Sequence, residues 1–160
     1  MILITDYSDI YKQDIVNMQL RKEDALEILT THGDLSPENI PFIINESIDL
    51  SLKSCGDCQV FLDNQTKEVI AVSGVARDIL GNVVWLLGTD KINKYKKDFV
   101  KKTKMLTNYY IAKYNYIYNF VDSRYTKAIK WLNALGYSFD YDIKMSFMGV
   151  PYYFFYKIQQ

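Results

Sequence analysis

VVWLLGT (Val83–Thr89), a lysine-dense stretch, YIYNFV (Tyr116–Val121) and WLNALGYSF (Trp131–Phe139) together decide the fold. The first and third are apolar runs of strand length. Between them, Phe99, Leu106, Tyr110 and Tyr114 fall on one side of a helix over about Lys94–Tyr114, while Lys94, Lys97, Lys101 and Lys104 fall on another. After the second strand, Ala128, Trp131, Leu132 and Leu135 recur at i, i+3, i+4, i+7, with Asp122 or Ser123 available as a cap and Gly136 as a stop. The order is β-α-β-α, and the loop after its first strand is a natural seat for a phosphate-bearing ligand.

Upstream, apolar positions from Ile15 to Leu29 predict one helix over Asp14–Thr31, ended at His32-Gly33. Ser36-Pro37-Glu38 starts a second, running to about Leu52, with proline at the first helical position. From Gln59 the period changes to two, giving a hairpin (Gln59–Asp63 and Glu68–Val75) that Val83–Thr89 extends into a meander. The first ten residues suit an edge strand. The aromatic tail, Ser138–Ile158, is broken at Gly149-Val150-Pro151 and reads as two final strands. The class is α+β, one mixed and mostly antiparallel sheet with helices on both faces. With 160 residues and 49% hydrophobic composition, a single domain over 1–160 is expected.

Charge is segregated although the net is zero. Residues 1–90 carry 6 Lys/Arg against 15 Asp/Glu, residues 91–130 carry 11 against 2, and the rest carries 2 against 2. The lysines suit phosphates of a cofactor or of nucleic acid; zero net charge, few arginines and no reader motif stand against nucleic acid, and a solvated helix face is preferred. No apolar run is long enough to span a membrane, and the N-terminus turns acidic too early for a signal peptide, so a soluble protein is expected. Cys55 and Cys58 form a CxxC with His32 as the one remaining preferred zinc partner, so no metal site is expected and a turn with two ordinary thiols is preferred.

The element order, with VDSRYTKAIKWLNALGYSFD (Val121–Asp140), resembles the GNAT superfamily of acyl-CoA-dependent N-acyltransferases, the match centring on Ala128-Ile129 and Leu135-Gly136-Tyr137. More narrowly, VWLLGTDKI (Val84–Ile92) and IKWLNALGY (Ile129–Tyr137) resemble the GNAT-like proteins of short-tailed bacteriophages, the group that includes internal virion protein A. The resemblance implies a V-shaped opening between the fourth and fifth strands that takes acetyl-CoA, with its pyrophosphate on amides at the start of the next helix. Carried onto this chain, Leu87, Gly88 and Thr89 would hold pantetheine, and Asn93, Lys94, Tyr95, Lys96 and Lys97 the phosphates.

Three departures stand against catalysis. No glycine follows Gly88 in the turn where the superfamily has an Arg/Gln-x-x-Gly-x-Gly/Ala pattern. The superfamily's general-acid tyrosine corresponds to Leu132, which has no proton to give. Its helix asparagine corresponds to Tyr125. Candidate bases are Asp90, Asp122 and His32, each with a simpler use at a turn or helix end. Glu23, Asp24 and Glu27 form an acidic helix face that suits an amine, though a solvated face is preferred. Two functions follow. One is a phage protein in the virion or its assembly, catalytically degenerate, in the host cytoplasm or the particle, pairing with itself or other virion proteins through its apolar tail. The other is an active acetyl-CoA-dependent N-acetyltransferase.

Overall fold

The computed structural model describes residues 1–160. In chain order it contains β1 (Ile2–Asp6), α1 (Lys12–Val16), α2 (Lys22–Thr31), α3 (Ile40–Ser54), β2 (Asp57–Asp63), β3 (Val69–Asp78), β4 (Gly81–Gly88), α4 (Lys96–Tyr114), β5 (Tyr116–Asp122), α5 (Thr126–Ala134), β6 (Ser138–Phe147) and β7 (Val150–Ile158). All seven strands join one sheet in the order β1-β2-β3-β4-β5-β7-β6. Every neighbouring pair is antiparallel except β4 and β5, which are parallel.

Strand alternation divides the core in two. Phe61, Ala71 and Val75 point to the face that holds α4 and α5, where they pack with Phe99, Leu106 and Leu132. Val60, Val72 and Leu87 point to the opposite face and meet Ile15, Ile28, Ile44 and Ile48 of α1–α3. Gly74 is required on that second face, because a Cβ there would come within 2.8 Å of the Trp85 ring, whose indole N–H donates to the buried Ser51 hydroxyl at 2.8 Å. Gly136, at φ +91, ends α5 as the sequence predicts.

Several boundaries differ from expectation. The first long helix is two, because the chain leaves helical geometry after Val16 so that Leu20 can bridge to Thr89. The lysine helix begins at Lys96, residues Asp90–Tyr95 forming a 3-10 turn. Cys58 lies inside β2 rather than in a turn; both cysteines are free, and burial pushes the Cys58 thiol up to about 12. The final strand is not at the end of the sheet. β7 inserts between β5 and β6, so the aromatics Tyr152–Tyr156 are paired on both sides and the edge at this end of the sheet is β6. That edge bulges between Asp140 and Lys144, which interrupts it as a template for another strand.

A polar cluster anchors the far end of α4. Asp57, at the start of β2, accepts from the Tyr109 hydroxyl at 3.0 Å, Lys113 Nζ at 2.8 Å and Gln59 Nε2 at 3.1 Å, and also from the Tyr114 hydroxyl. Gln59 in turn accepts from the buried Tyr110 hydroxyl at 2.5 Å. Burial alone would raise the Asp57 pKa, but these donors outweigh it and hold the carboxylate below its ordinary range.

Candidate functional site

β4 and β5 pair at one position, Val83 with Tyr118. Beyond it the ladder is carried by a side chain. Asn119 Nδ2 donates to the Val84 carbonyl at 2.7 Å, and its own Oδ1 accepts the Phe120 amide at 2.7 Å. An amide group therefore stands where strand would meet strand, and the two ribbons diverge around it. The opening is a cavity of about 720 Å³. On one face it is lined by Lys96, Phe99, Thr103, Ala128 and Trp131 of α4 and α5; on the other by Glu27, Ser47 and Leu50 of α2 and α3, with Phe120 and Phe147.

The edge of β4 that faces this opening is occupied at both ends. Val84 is engaged by Asn119, as above. At Gly88 the N–H donates to Asp24 Oδ2 at 2.7 Å and the carbonyl accepts the Arg21 N–H at 2.8 Å. Alternation leaves Leu86 as the residue between them whose backbone groups face the gap. Leu87 lines the cavity, while Thr89 spends both its amide and its hydroxyl on the Ile70 carbonyl, each at 2.9 Å.

Of the residues expected around the phosphates, Asn93 and Lys96 line the cavity. The others do not. Lys94 lies over the Tyr95 ring at 5.3 Å, the Tyr95 hydroxyl donates to Asp63 Oδ2 at 2.6 Å, and Lys97 is exposed on the outer face of α4. Between that turn and the gap, α4 and α5 are tied together by the Phe99–Trp131 stack at 5.7 Å and by Trp131 Nε1 donating to the Thr103 hydroxyl at 3.2 Å.

The acidic stripe of α2 is solvated at Glu23 but turns inward at Asp24 and Glu27. Asp24 is buried and gripped by Arg21 Nε and Nη2 at 3.1 and 2.9 Å, in addition to the Gly88 amide. Burial pushes its pKa up further than these partners pull it down. Glu27 reaches the cavity wall and accepts the Asp122 amide at 3.1 Å. Burial, with Asp24 and Asp122 nearby and only that amide and Arg21 opposing, raises Glu27 to about 7. A carboxyl that titrates there can take a proton from an ammonium group or return one.

The other candidate bases are placed differently. Asp122 forms a two-point pair with Arg124, Nε to Oδ1 at 3.1 Å and Nη2 to Oδ2 at 2.8 Å; it does not cap α5, whose start at Tyr125 has no side-chain cap. Burial works against its charge, yet Arg124 keeps its pKa below the usual carboxylate range, leaving it a weak base. His32 Nδ1 bonds the Ile28 carbonyl at 2.7 Å, closing the end of α2, although its ring also reaches the cavity. Asp90 is exposed at the first position of the 3-10 turn and lines the same opening. Leu132 is buried in the core. Tyr125 lies on the cavity beside Arg21 and Asp24, its phenol raised to about 12 chiefly by burial. No group of three or more His, Cys, Asp or Glu residues is arranged to hold a metal ion. No helix is long and apolar enough to cross a membrane.

Two of these residues carry signals that pattern reading passed over. Asn119 sits between Ile117 and Val121 on a buried face, where a polar group needs partners. Asp24 and Glu27 stand next to Ile28, which belongs to the buried stripe of α2.

Known structures share this architecture at low sequence identity. A protein of Bordetella pertussis assigned to the GnaT acetyltransferase family superposes with a TM-score of 0.71 at 10% identity, covering 98% of this chain and 95% of that one. A GNAT-family acetyltransferase of Staphylococcus aureus Mu50 gives 0.65 at 17% identity over 100% of both chains. The ribosomal-protein-S5-alanine acetyltransferase of Vibrio fischeri gives 0.65 at 13% identity, over 98% of this chain and 92% of its own. At these identities the likeness establishes the GNAT fold alone. No curated protein matches the sequence. One sequence family does, over residues 59–143, the span from β2 through the split strands to the outer edge of the sheet. That match covers more than half of the chain, which therefore belongs to the family described as bacteriophage T7, probable scaffold protein Gp13.

Proposed function

We propose that this is a phage protein that has kept the acetyltransferase-like fold and its split sheet but lost acyl transfer, and that it acts in the virion or during its assembly. The observation that carries the reading is the state of the β4 edge. Asp24 occupies the Gly88 amide at 2.7 Å and Asn119 occupies the Val84 carbonyl at 2.7 Å, so little backbone is free to bind an extended pantetheine arm. The 3-10 turn at Asp90–Tyr95, the Phe99–Trp131 tie and Leu132 at the expected acid position support it. The family's description favours an assembly role over a metabolic one. Calorimetric titration with acetyl-CoA tests the loss of the cofactor site: no saturable heat is expected, and stoichiometric binding would contradict it. Mass spectrometry of purified proheads and virions tests the role, which fails if the protein is in neither.

One observation favours a second reading, an active acetyl-CoA-dependent N-acetyltransferase. Glu27, titrating near 7 on the wall of an open cavity, is placed to deprotonate an amine held on the α2 side while the thioester lies on the α4 side. Amine-dependent release of coenzyme A thiol, lost in Glu27→Gln, would establish it.

A further inference from the structure

The charge segregation of the sequence becomes a two-sided surface in the fold. Residues 7–54, which carry α1–α3 on one face of the sheet, hold 9 Asp/Glu against 4 Lys/Arg; α4, on the other face, holds 6 Lys against 1 Asp. Each layer also presents apolar side chains among its charges. On α3 the outward stripe is Phe42, Glu46, Asp49 and Leu50, with Phe42 67% and Leu50 54% exposed. On α4 it is Val100, Lys101, Lys104 and Met105, with Met105 58% exposed. Both stripes follow helical spacing and every residue in them is exposed, Leu50 and Val100 standing at the rim of the cavity.

We propose that copies of this chain associate head to tail, the acidic and apolar stripe of α3 on one copy seating against the basic and apolar stripe of α4 on the next. The two surfaces are complementary in charge and alike in apolar content, and they lie on opposite faces of one sheet. A contact between them is therefore heterologous: it leaves a free α3 on one end and a free α4 on the other, so that growth continues as a ring or a filament instead of stopping at a two-fold dimer. Nucleic acid is the competing partner for the lysines. It would leave Phe42 and Leu50 unexplained, and the zero net charge gives it no long-range attraction to the whole molecule.

Sedimentation velocity on the full chain tests this. Wild-type protein is expected to sediment as multiples of 18.7 kDa at low ionic strength. It should dissociate to the monomer in about 1 M salt, where the Debye length falls to about 3 Å. Two double variants carry the decisive arm: Glu46→Lys with Asp49→Lys, and Lys101→Glu with Lys104→Glu. All four sites are exposed, and circular dichroism checks that each variant folds. Each variant alone is expected to be monomeric, since both of its stripes then carry the same sign, and an equimolar mixture is expected to reassemble. A wild-type monomer at low salt overturns the proposal, as does assembly that survives either variant or a mixture of folded variants that stays monomeric. Wild type that stays monomeric yet binds duplex DNA through the same lysines gives that surface to nucleic acid and also overturns it.

Discussion

Asn119 donates its side-chain amide to the Val84 carbonyl at 2.7 Å, and this one bond stands where the next rung between β5 and β4 would be. Because the other end of the same amide accepts Phe120 N–H, the side chain satisfies both strands while holding them apart. The opening between them thus rests on one half-buried polar residue rather than on a bulge in β4, whose register with β3 is unbroken.

Replacing Asn119 removes both bonds at once. Asn119→Ala leaves a carbonyl and an amide unpaired at the split, and we expect a loss of about 1–3 kcal/mol in urea unfolding. Asn119→Val should do the same while speeding hydrogen exchange at Phe120. Unchanged stability and unchanged exchange would mean that the strands separate for another reason.

Glu27 gives a pH dependence with a definite sign. Its pKa is near 7 in the folded chain against an ordinary 4.5, so the folded state holds a proton that the unfolded state has already released. Its contribution to stability is fully present below about 4.5 and is lost as the pH rises to about 7, by up to about 3 kcal/mol. Glu27→Gln should therefore match wild type near pH 4 and exceed it at pH 8. Parallel stability curves across that window would show that Glu27 does not titrate as described.

Asp24 joins α2 to the end of β4 through Arg21 and Gly88. Asp24→Ala strands a partly buried guanidinium and a buried amide together, and a loss of about 3–5 kcal/mol is expected, enough to unfold a marginal domain. Asp24→Asn, which keeps an acceptor for Gly88 but not the charge, should lose less. Equal effects of the two would mean that the Gly88 bond contributes nothing and that the whole loss comes from the ion pair with Arg21.

Asp57 acts from the opposite direction. Its carboxylate is held below its ordinary range by Lys113, Tyr114, Gln59 and Tyr109, so its contribution is present at neutral pH and disappears as the pH falls through its lowered pKa. Asp57→Asn should destabilise the chain by about 1–3 kcal/mol at pH 7 and loosen the last turns of α4 in hydrogen exchange. The same loss at pH 2 would separate the effect from the charge.

The fold was readable from periodicity because its core strands and its last two helices follow buried faces closely. Val83–Thr89, Tyr116–Val121 and the Ala128–Leu135 stripe fall within a few residues of β4, β5 and α5. What periodicity missed depends on contacts distant in sequence. The break between α1 and α2 comes from Leu20 meeting Thr89, and the inward turn of Asp24 comes from Gly88, 64 residues away. The placing of β7 inside the sheet depends on which edges pair, and an aromatic run such as Tyr152–Tyr156 reads the same in either place. Asn119 was the most legible of the missed residues, a polar side chain on a buried face whose partners only the split could supply.

The proposed loss of acyl transfer is decided by the release of coenzyme A thiol from acetyl-CoA. With a panel of primary amines at pH 8, where Glu27 is ionised, release is expected at the rate of buffer alone, for wild type and for Glu27→Gln equally. Release that depends on both protein and amine, and that disappears in Glu27→Gln, would contradict it.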